Sequence, residues 1–189
     1  MNTSDREKSK GQIPPAETAA DQTLSPTSSG RRGMRLAAYA GVGLAAGTAL
    51  GLILKAVQSL SGHRVYRLLL NADYVPVLKN FRLSEWTEFV IHLIISVVLC
   101  VVLGLLWERR AKRSLPSAGR MTGITALIGG AIGLLLYPTT LLSRGGTPPI
   151  DSLPAWLWWL GVHLLYGAAV GLLLYAVLRA KNSDALPRR

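Results

Sequence analysis

Polar side chains that can titrate or bind cations lie inside an otherwise apolar stretch of this sequence. Glu88, His92, Ser96 and Cys100 follow one another at intervals of four residues. On an α-helix each such step drifts by about 40°, so Glu88, His92 and Ser96 share a face that Cys100 begins to leave. Histidine titrates near physiological pH, and ionisable groups are costly inside a bilayer. These residues are therefore candidates for a functional site, whereas Cys100, the single cysteine, is best explained as a small packing residue.

Other apolar stretches contribute three further candidates. His163 stands four residues before Gly167, and Lys55 stands four residues after Gly51, which places both on the small-residue faces of their helices. Tyr137 falls near the same level of the bundle. We predict that these side chains converge in its outer half as a candidate polar cluster of Lys55, Glu88, His92, Tyr137 and His163.

Three interpretations of this cluster stay open. It can be structural, with Lys55 reaching the headgroups and each histidine making one interhelical hydrogen bond. It can be a small outward-facing cavity that binds an ion or small solute, or senses protons. It can also be a metal site of Glu88, His92 and His163, although nothing in the spacing fixes a geometry and no metal or cofactor is expected.

Four apolar stretches are long enough to carry these residues across a membrane. About 20 residues of helix span a hydrocarbon core, and backbone groups in lipid must be satisfied within the helix. The predicted fold class is therefore all-α, an integral membrane four-helix bundle with a disordered N-terminal tail. The domains are a cytoplasmic tail over 1–33, a membrane domain over 34–180 with spans at about 36–57, 87–107, 121–142 and 155–178, and a cytoplasmic tail over 181–189.

The distribution of basic residues predicts the orientation. Fifteen Lys and Arg residues lie on the side of the two termini and the 108–120 link, against six on the other side. The richer side should be cytoplasmic, which places both termini there. The net charge of +11 comes from basic residues that lie between and beside the apolar stretches, as in membrane proteins. A nucleic-acid partner is therefore not expected. The five tryptophans stand at span ends and are predicted to anchor the helices in the headgroup region.

Glycines at intervals of four residues predict close helix packing, because small residues let helix backbones approach each other in a bilayer. The expected contacts lie within the chain, although the same faces can serve a homo-oligomer. The packing residues are Gly43, Gly47, Gly51, Gly129, Gly133, Gly167 and Gly171.

Several of these features together resemble a known group. They are Lys55 ending a glycine-rich span, His92 with Ser96, the Thr147-Pro148-Pro149 and Leu153-Pro154 segments before a tryptophan cluster, and His163. This combination resembles the YagU-type family of small bacterial membrane proteins, a domain family of unknown function. The Leu165-Tyr166-Gly167 pattern is similar to YqhR-type membrane proteins. The resemblance covers residues 36–179 and implies a location in the bacterial cytoplasmic membrane.

The functional expectation is correspondingly broad. The sequence contains none of the common hydrolase, metalloprotease, phosphate-loop or dinucleotide-binding motifs, so an enzyme is not expected. We expect a multi-pass protein of the bacterial cell membrane that is an accessory or stress-related structural bundle. The alternative is a small transporter or channel component with an outward-facing polar, proton-responsive cavity. The lipid bilayer is the expected partner in either case.

Overall fold

A computed structural model of the protein describes residues 28–72, 75, 77–81, 83–111, 113–144 and 146–184. In this part of the chain the regular elements are all helical. The α-helices are α1 (Ser28–Ser61), α2 (Val65–Leu70), α3 (Glu85–Ala111), α4 (Ala118–Leu136) and α5 (Leu153–Asp184). Short 3-10 helices follow α2 and α4, at Leu78–Asn80 and Tyr137–Leu142.

Four of these helices are long and apolar enough to cross a membrane, which confirms the predicted fold class. The candidate spans are Arg32–Ser61, Glu85–Ala111, Ala118–Leu142 and Leu153–Lys181. Each contains one predicted span and extends beyond it, because helices continue into flanking polar residues that hydropathy does not count. Residues 28–33, predicted as part of the tail, belong to α1, and the rest of that prediction lies outside the described residues.

Turn chemistry sets several helix ends. Ser117 caps α4, since its hydroxyl accepts a hydrogen bond from the Arg120 N–H. Gly62 follows α1 with φ of 73°, the left-handed conformation that favours glycine after a helix. Its N–H donates a hydrogen bond to Gln58 O. α4 ends at Leu136, two residues before Pro138, and the chain tightens there into the 3-10 helix.

The long helices form two sequential pairs joined along one seam. α3 packs against α1, α4 packs against α5, and α1 and α5 contact each other in the middle. In the described part of the chain, α3 and α4 barely meet. The end of the bundle with the α3–α4 link is called the basic end below, and the end with α2 and the α4–α5 link is called the loop end.

The α1–α3 contact follows the glycine row of α1. A Cβ added at Gly43 would lie 2.6 Å from the Cα of Val97, and one at Gly47 would lie 2.8 Å from the Cβ of Ser96. One at Gly51 would collide with the ring of Phe89. These three glycines therefore lie where α3 approaches most closely, and the contact is within the chain.

The α4–α5 contact is equally close and uses glycines on both helices. A Cβ at Gly129 would meet the backbone oxygen of His163, and one at Gly133 would lie 2.9 Å from the His163 Cβ. On α5, a Cβ at Gly167 would lie 2.9 Å from the Cα of Ala126, and one at Gly171 would lie 2.8 Å from the Cα of Thr122. The approach of α5 to α4 thus fixes the position of His163.

Candidate functional site

A cavity of about 80 Å³ lies toward the loop end of the bundle. All five α-helices line it, and most of the lining is apolar, with Leu68, Leu69 and Leu70 of α2 on one side. The volume is that of two or three water molecules at about 30 Å³ each. Its polar lining residues are Asn71, Glu88, His92, Ser96, His163 and Tyr166.

His92 is placed in the cavity by its contact with α1. Its Nε2 lies 3.1 Å from the carbonyl oxygen of Gly47, whose missing side chain leaves that oxygen accessible from α3. A carbonyl oxygen only accepts hydrogen bonds, so Nε2 carries the proton and donates. In the neutral imidazole the other nitrogen, Nδ1, is then an acceptor.

His163 is more deeply buried than His92 and has the opposite tautomer. Only 3% of its surface is exposed, and its Nδ1 donates to the carbonyl oxygen of Trp159 at 2.9 Å. The Trp159 ring lies against the imidazole with centroids 4.2 Å apart, and its Nε1–H donates to Gly133 O at 2.8 Å. By the same argument, Nε2 of His163 is the acceptor, and among the described residues it has no hydrogen-bond partner.

Ser96 and Tyr166 form a directed chain of hydrogen bonds between α5, α3 and α1. Ser96 Oγ donates to Gly43 O at 2.8 Å and lies 2.8 Å from Tyr166 Oη. Because the single serine proton goes to Gly43, the tyrosine hydroxyl must donate to Ser96. The Cys100 Sγ lies 3.9 Å from the same Oη and is fully buried, so Cys100 still faces the interior.

The cavity therefore offers acceptors rather than donors where α3 and α5 line it. The protons of His92, His163, Ser96, Tyr166 and Trp159 are all directed at oxygen atoms of the protein itself. The other ring nitrogens, His92 Nδ1 and His163 Nε2, are then hydrogen-bond acceptors. A ligand that binds these groups must supply hydrogen-bond donors.

The rim of the cavity differs from its interior. Ile95 lines it and is 53% exposed, whereas Ser96 beside it is buried. Because α3 and α4 barely meet, this rim faces the side of the bundle where the lipid of a membrane would lie.

The structure brings together three of the five residues predicted to converge, namely Glu88, His92 and His163. Lys55 lies elsewhere: its Nζ is 3.0 Å from Glu85 Oε1 and 5.2 Å from the centre of the Tyr66 ring. The position of Lys55 on α1 is level with the first turn of α3, which explains the pairing with Glu85 rather than with the histidines.

Glu85, Lys55 and Tyr66 form what we call the α2 latch. The Tyr66 hydroxyl donates to Glu85 Oε1 at 3.2 Å, so one carboxylate connects α1, α2 and α3. Burial, and next to it the charge of Glu85, raises the pKa of Tyr66, so the phenol stays protonated and keeps donating. Arg67 N also donates to Gln58 Oε1 at 3.0 Å, which is a second tie between α2 and α1.

Tyr137 also lies apart from the cavity. It is fully buried, stacks on Trp156 with centroids 3.9 Å apart, and donates its hydroxyl to Pro149 O at 3.0 Å. These contacts hold the α4–α5 link against the start of α5. Tyr137 therefore has a structural position in this fold, and its predicted membership of the cluster is corrected.

The metal-site alternative finds no support in the geometry. Among the described residues, which include Glu88, His92 and His163, no three Asp, Glu, His or Cys side chains are placed to hold a metal ion together.

A second polar group, which we call the Glu108 tie, lies at the basic end. The Glu108 carboxylate pairs with Arg35 and with Lys181 Nζ at 2.8 Å, and it accepts a hydrogen bond from Tyr39 at 3.2 Å. Only 11% of the Glu108 side chain is exposed. One carboxylate thus joins α1, α3 and α5.

Sequence reasoning missed several of these residues. Glu108 continues the four-residue series of Glu88 and His92, and extending the series beyond Cys100 would have found it. Tyr166 lies three residues after His163 on the same helical face. Trp159 and Trp107 were predicted as headgroup anchors, but both are buried, with 1% and 8% of their surface exposed. No sequence signal separates them from Trp86 and Trp158, which are exposed.

The apolar spans define a multi-pass membrane protein with an internal polar cavity. The chain matches no protein-family model, no curated protein and no solved structure. The resemblance to YagU-type and YqhR-type proteins therefore stays a prediction.

Proposed function

We propose that this protein is a small transporter or channel component that binds a small solute in the cavity between α3 and α4. The observation that carries the proposal is an internal cavity of about 80 Å³ whose mostly apolar lining includes His92, Ser96, His163 and Tyr166. Polar and ionisable side chains that face the interior of a membrane bundle commonly mark the path of a solute or ion.

α2 covers the cavity at the loop end, with Leu68, Leu69 and Leu70 in its lining. The exposed ion pair of the α2 latch contributes little stability, since both Lys55 and Glu85 are about half exposed. Apolar burial holds α2 more firmly, because four of its six residues are buried, namely Val65, Tyr66, Leu68 and Leu70. A solute that enters from the loop end must therefore displace α2 against this burial.

The competing function is an accessory structural bundle, and the Glu108 tie favours it. That tie lies at the basic end, away from the cavity, and holds α1, α3 and α5 together. In a purely structural protein the histidines contribute only to folding, so a folded histidine variant should behave like the wild type. In a transporter or channel component, the same variant should lose solute flux or its proton response.

Flux measurements in reconstituted vesicles separate them. Protein carrying both His92→Leu and His163→Phe is compared with the wild type and with His63→Leu, which changes the one histidine outside the cavity. We expect solute flux or its proton response to fall in the double variant and to persist in His63→Leu. If a folded double variant moves solutes and protons like the wild type, the cavity has no transport role.

We further propose that the protein resides in the bacterial cell membrane with both termini in the cytoplasm. The excess of basic residues at the basic end supports this orientation. The contacts of Arg35, near the start of α1, and of Lys181, near the end of α5, with the same residue, Glu108, support a common side for both termini.

The buried single cysteine makes the orientation easy to test. In a Cys100→Ala background, cysteines introduced as Arg113→Cys and His63→Cys probe opposite ends of the bundle. A thiol reagent that cannot cross membranes should label intact cells at position 63 and not at position 113. Labelling at 113 alone would reverse the orientation.

A further inference from the structure

A recess of about 100 Å³ lies beside the α2 latch, and the described residues that line it are separate from those that line the cavity. We infer that this recess binds the headgroup of a phospholipid with a primary ammonium group, as in phosphatidylethanolamine. The ammonium group binds at Glu85 and the phosphate group binds at Lys55. The inference goes beyond the proposed function and does not depend on it.

The recess lies at the level of lipid headgroups. Glu85 is the first residue of the candidate span of α3, and Lys55, which contacts it, lies near the end of the α1 span at Ser61. Trp86 lines the recess and is 78% exposed, and tryptophan side chains favour the headgroup region of a membrane. A phospholipid is therefore the molecule that this surface meets in a membrane.

Two opposite charges line the recess side by side. Lys55 Nζ lies 3.0 Å from Glu85 Oε1, and the two side chains are 55% and 49% exposed. The Tyr66 hydroxyl donates to the same carboxylate oxygen. A lysine ammonium has three donors and a carboxylate has about four acceptor positions, so this half-exposed pair can bind further groups.

This arrangement of charges favours a zwitterion. A headgroup with both an ammonium and a phosphate can bind Glu85 and Lys55 at once, whereas a purely anionic headgroup brings its charge next to Glu85. Arg67 also interacts electrostatically with Glu85, but it is not among the described residues that line the recess. Its positive charge makes an anionic phospholipid the strongest competitor.

The size of the recess favours a primary ammonium over a quaternary one. A volume of about 100 Å³ is that of about three water molecules at about 30 Å³ each, and an aminoethyl group has three heavy atoms. A choline group adds three methyl groups and has no N–H to donate to the Glu85 carboxylate.

The apolar lining favours a lipid over a soluble zwitterion. Leu52 and Phe89 line the recess and lie about one helical turn deeper in their spans than Lys55 and Glu85. Leu52 is 59% exposed, so in a membrane it contacts acyl chains. A phospholipid held by its headgroup would place its own chains along this surface.

The test compares ligands on the purified wild-type chain in dodecyl maltoside, so it does not depend on any variant folding. Phosphatidylethanolamine, phosphatidylcholine or phosphatidylglycerol, all with identical acyl chains, is added at increasing mole fraction. Thermal unfolding is followed, since a ligand that binds the folded protein raises its midpoint. Free phosphoethanolamine is the fourth probe and supplies the headgroup without the chains.

We expect phosphatidylethanolamine to bind saturably and about three- to fivefold more tightly than the other two lipids, as for one charge-assisted hydrogen bond at a half-exposed carboxylate. Free phosphoethanolamine should bind much more weakly than the lipid. Equal or tighter binding of either other lipid would overturn the inference. Free phosphoethanolamine that binds as tightly as the lipid would also overturn it, because the ligand would then be a soluble zwitterion.

Matched variants locate the site. Glu85→Gln removes the carboxylate charge and should abolish the preference for phosphatidylethanolamine over phosphatidylcholine. Gln58→Ala removes the second tie between α2 and α1, at a residue that is not among the described lining residues, and should keep the preference. If a folded Glu85→Gln variant keeps the preference, or Gln58→Ala loses it, the Glu85 carboxylate does not select the lipid and the inference is lost.

Discussion

Replacing Gly167 by alanine should separate α4 from α5. An alanine Cβ at this position would lie 2.9 Å from both the Ala126 Cα and the Thr125 carbonyl carbon, and closer still to the Thr125 oxygen. Non-bonded carbon atoms prefer about 3.5–4.0 Å. These neighbours are backbone atoms, so no rotamer change relieves the clash and the helices must move apart by at least about 0.5 Å.

The matched control lies on the same helix. A Cβ at Gly161 would meet nothing within 4 Å. Gly167→Ala and Gly161→Ala add the same methyl group to α5, so the gain in helix propensity cancels between them. Overpacking costs about 1–3 kcal/mol, and this is the expected difference in free energy of unfolding between the two variants. It corresponds to about 5- to 150-fold in the unfolding equilibrium.

Equilibrium unfolding by SDS in mixed micelles, followed by far-UV circular dichroism, measures this difference. Gly161→Ala should unfold at the wild-type SDS fraction or slightly above it, and Gly167→Ala clearly below it. A difference under about 0.5 kcal/mol, the usual size of an unimportant surface change, would show that α4 and α5 do not meet at Gly167.

Two further predictions use matched pairs in the same assay. Glu108→Gln should lower the free energy of unfolding by about 1–3 kcal/mol, which is less than the loss of a fully buried pair because the basic partners of Glu108 are partly exposed. Glu85→Gln should lower it by under about 1 kcal/mol, because its ion pair is half exposed. If the two substitutions destabilise the protein equally, Glu108 contributes no more to stability than the exposed pair of Glu85 and Lys55. Trp159→Phe should cost about 1–3 kcal/mol, because it removes the buried N–H donor to Gly133 O, whereas Trp158→Phe, at a residue 47% exposed, should be near neutral. If Trp158→Phe destabilises the protein and Trp159→Phe does not, α5 does not turn Trp159 inward and Trp158 outward as described.

The four long helices could be predicted from the sequence because hydropathy and length are local properties. The ends were less predictable: α1 begins at Ser28 and α5 continues to Asp184 through residues that hydropathy scores as polar. Likewise, the place of α2 against the cavity could not be predicted locally, because it depends on contacts with other helices, among them α1 and α3.

The candidate site was predictable in part, for a geometric reason. Spacing on one helix puts Glu88 and His92 on one face, the small-residue face of α5 carries His163, and all three residues line the cavity. Depth alone, however, cannot say on which side of a helix pair a side chain lies. Lys55 and Tyr137 are at the predicted level but outside the cavity lining, where Lys55 contacts Glu85 and Tyr137 contacts Pro149.

The pairing of sequential helices has a consequence for how the chain is made. Among the long helices, α1 is followed by α3 and α4 by α5, so the α1–α3 half can complete its closest contacts before the α4–α5 half leaves the ribosome. The break between the halves falls in the link between α3 and α4, where the described residues 113–117 form no helix. Two separately synthesised pieces divided within that link should therefore find each other in one membrane and rebuild the α1–α5 seam.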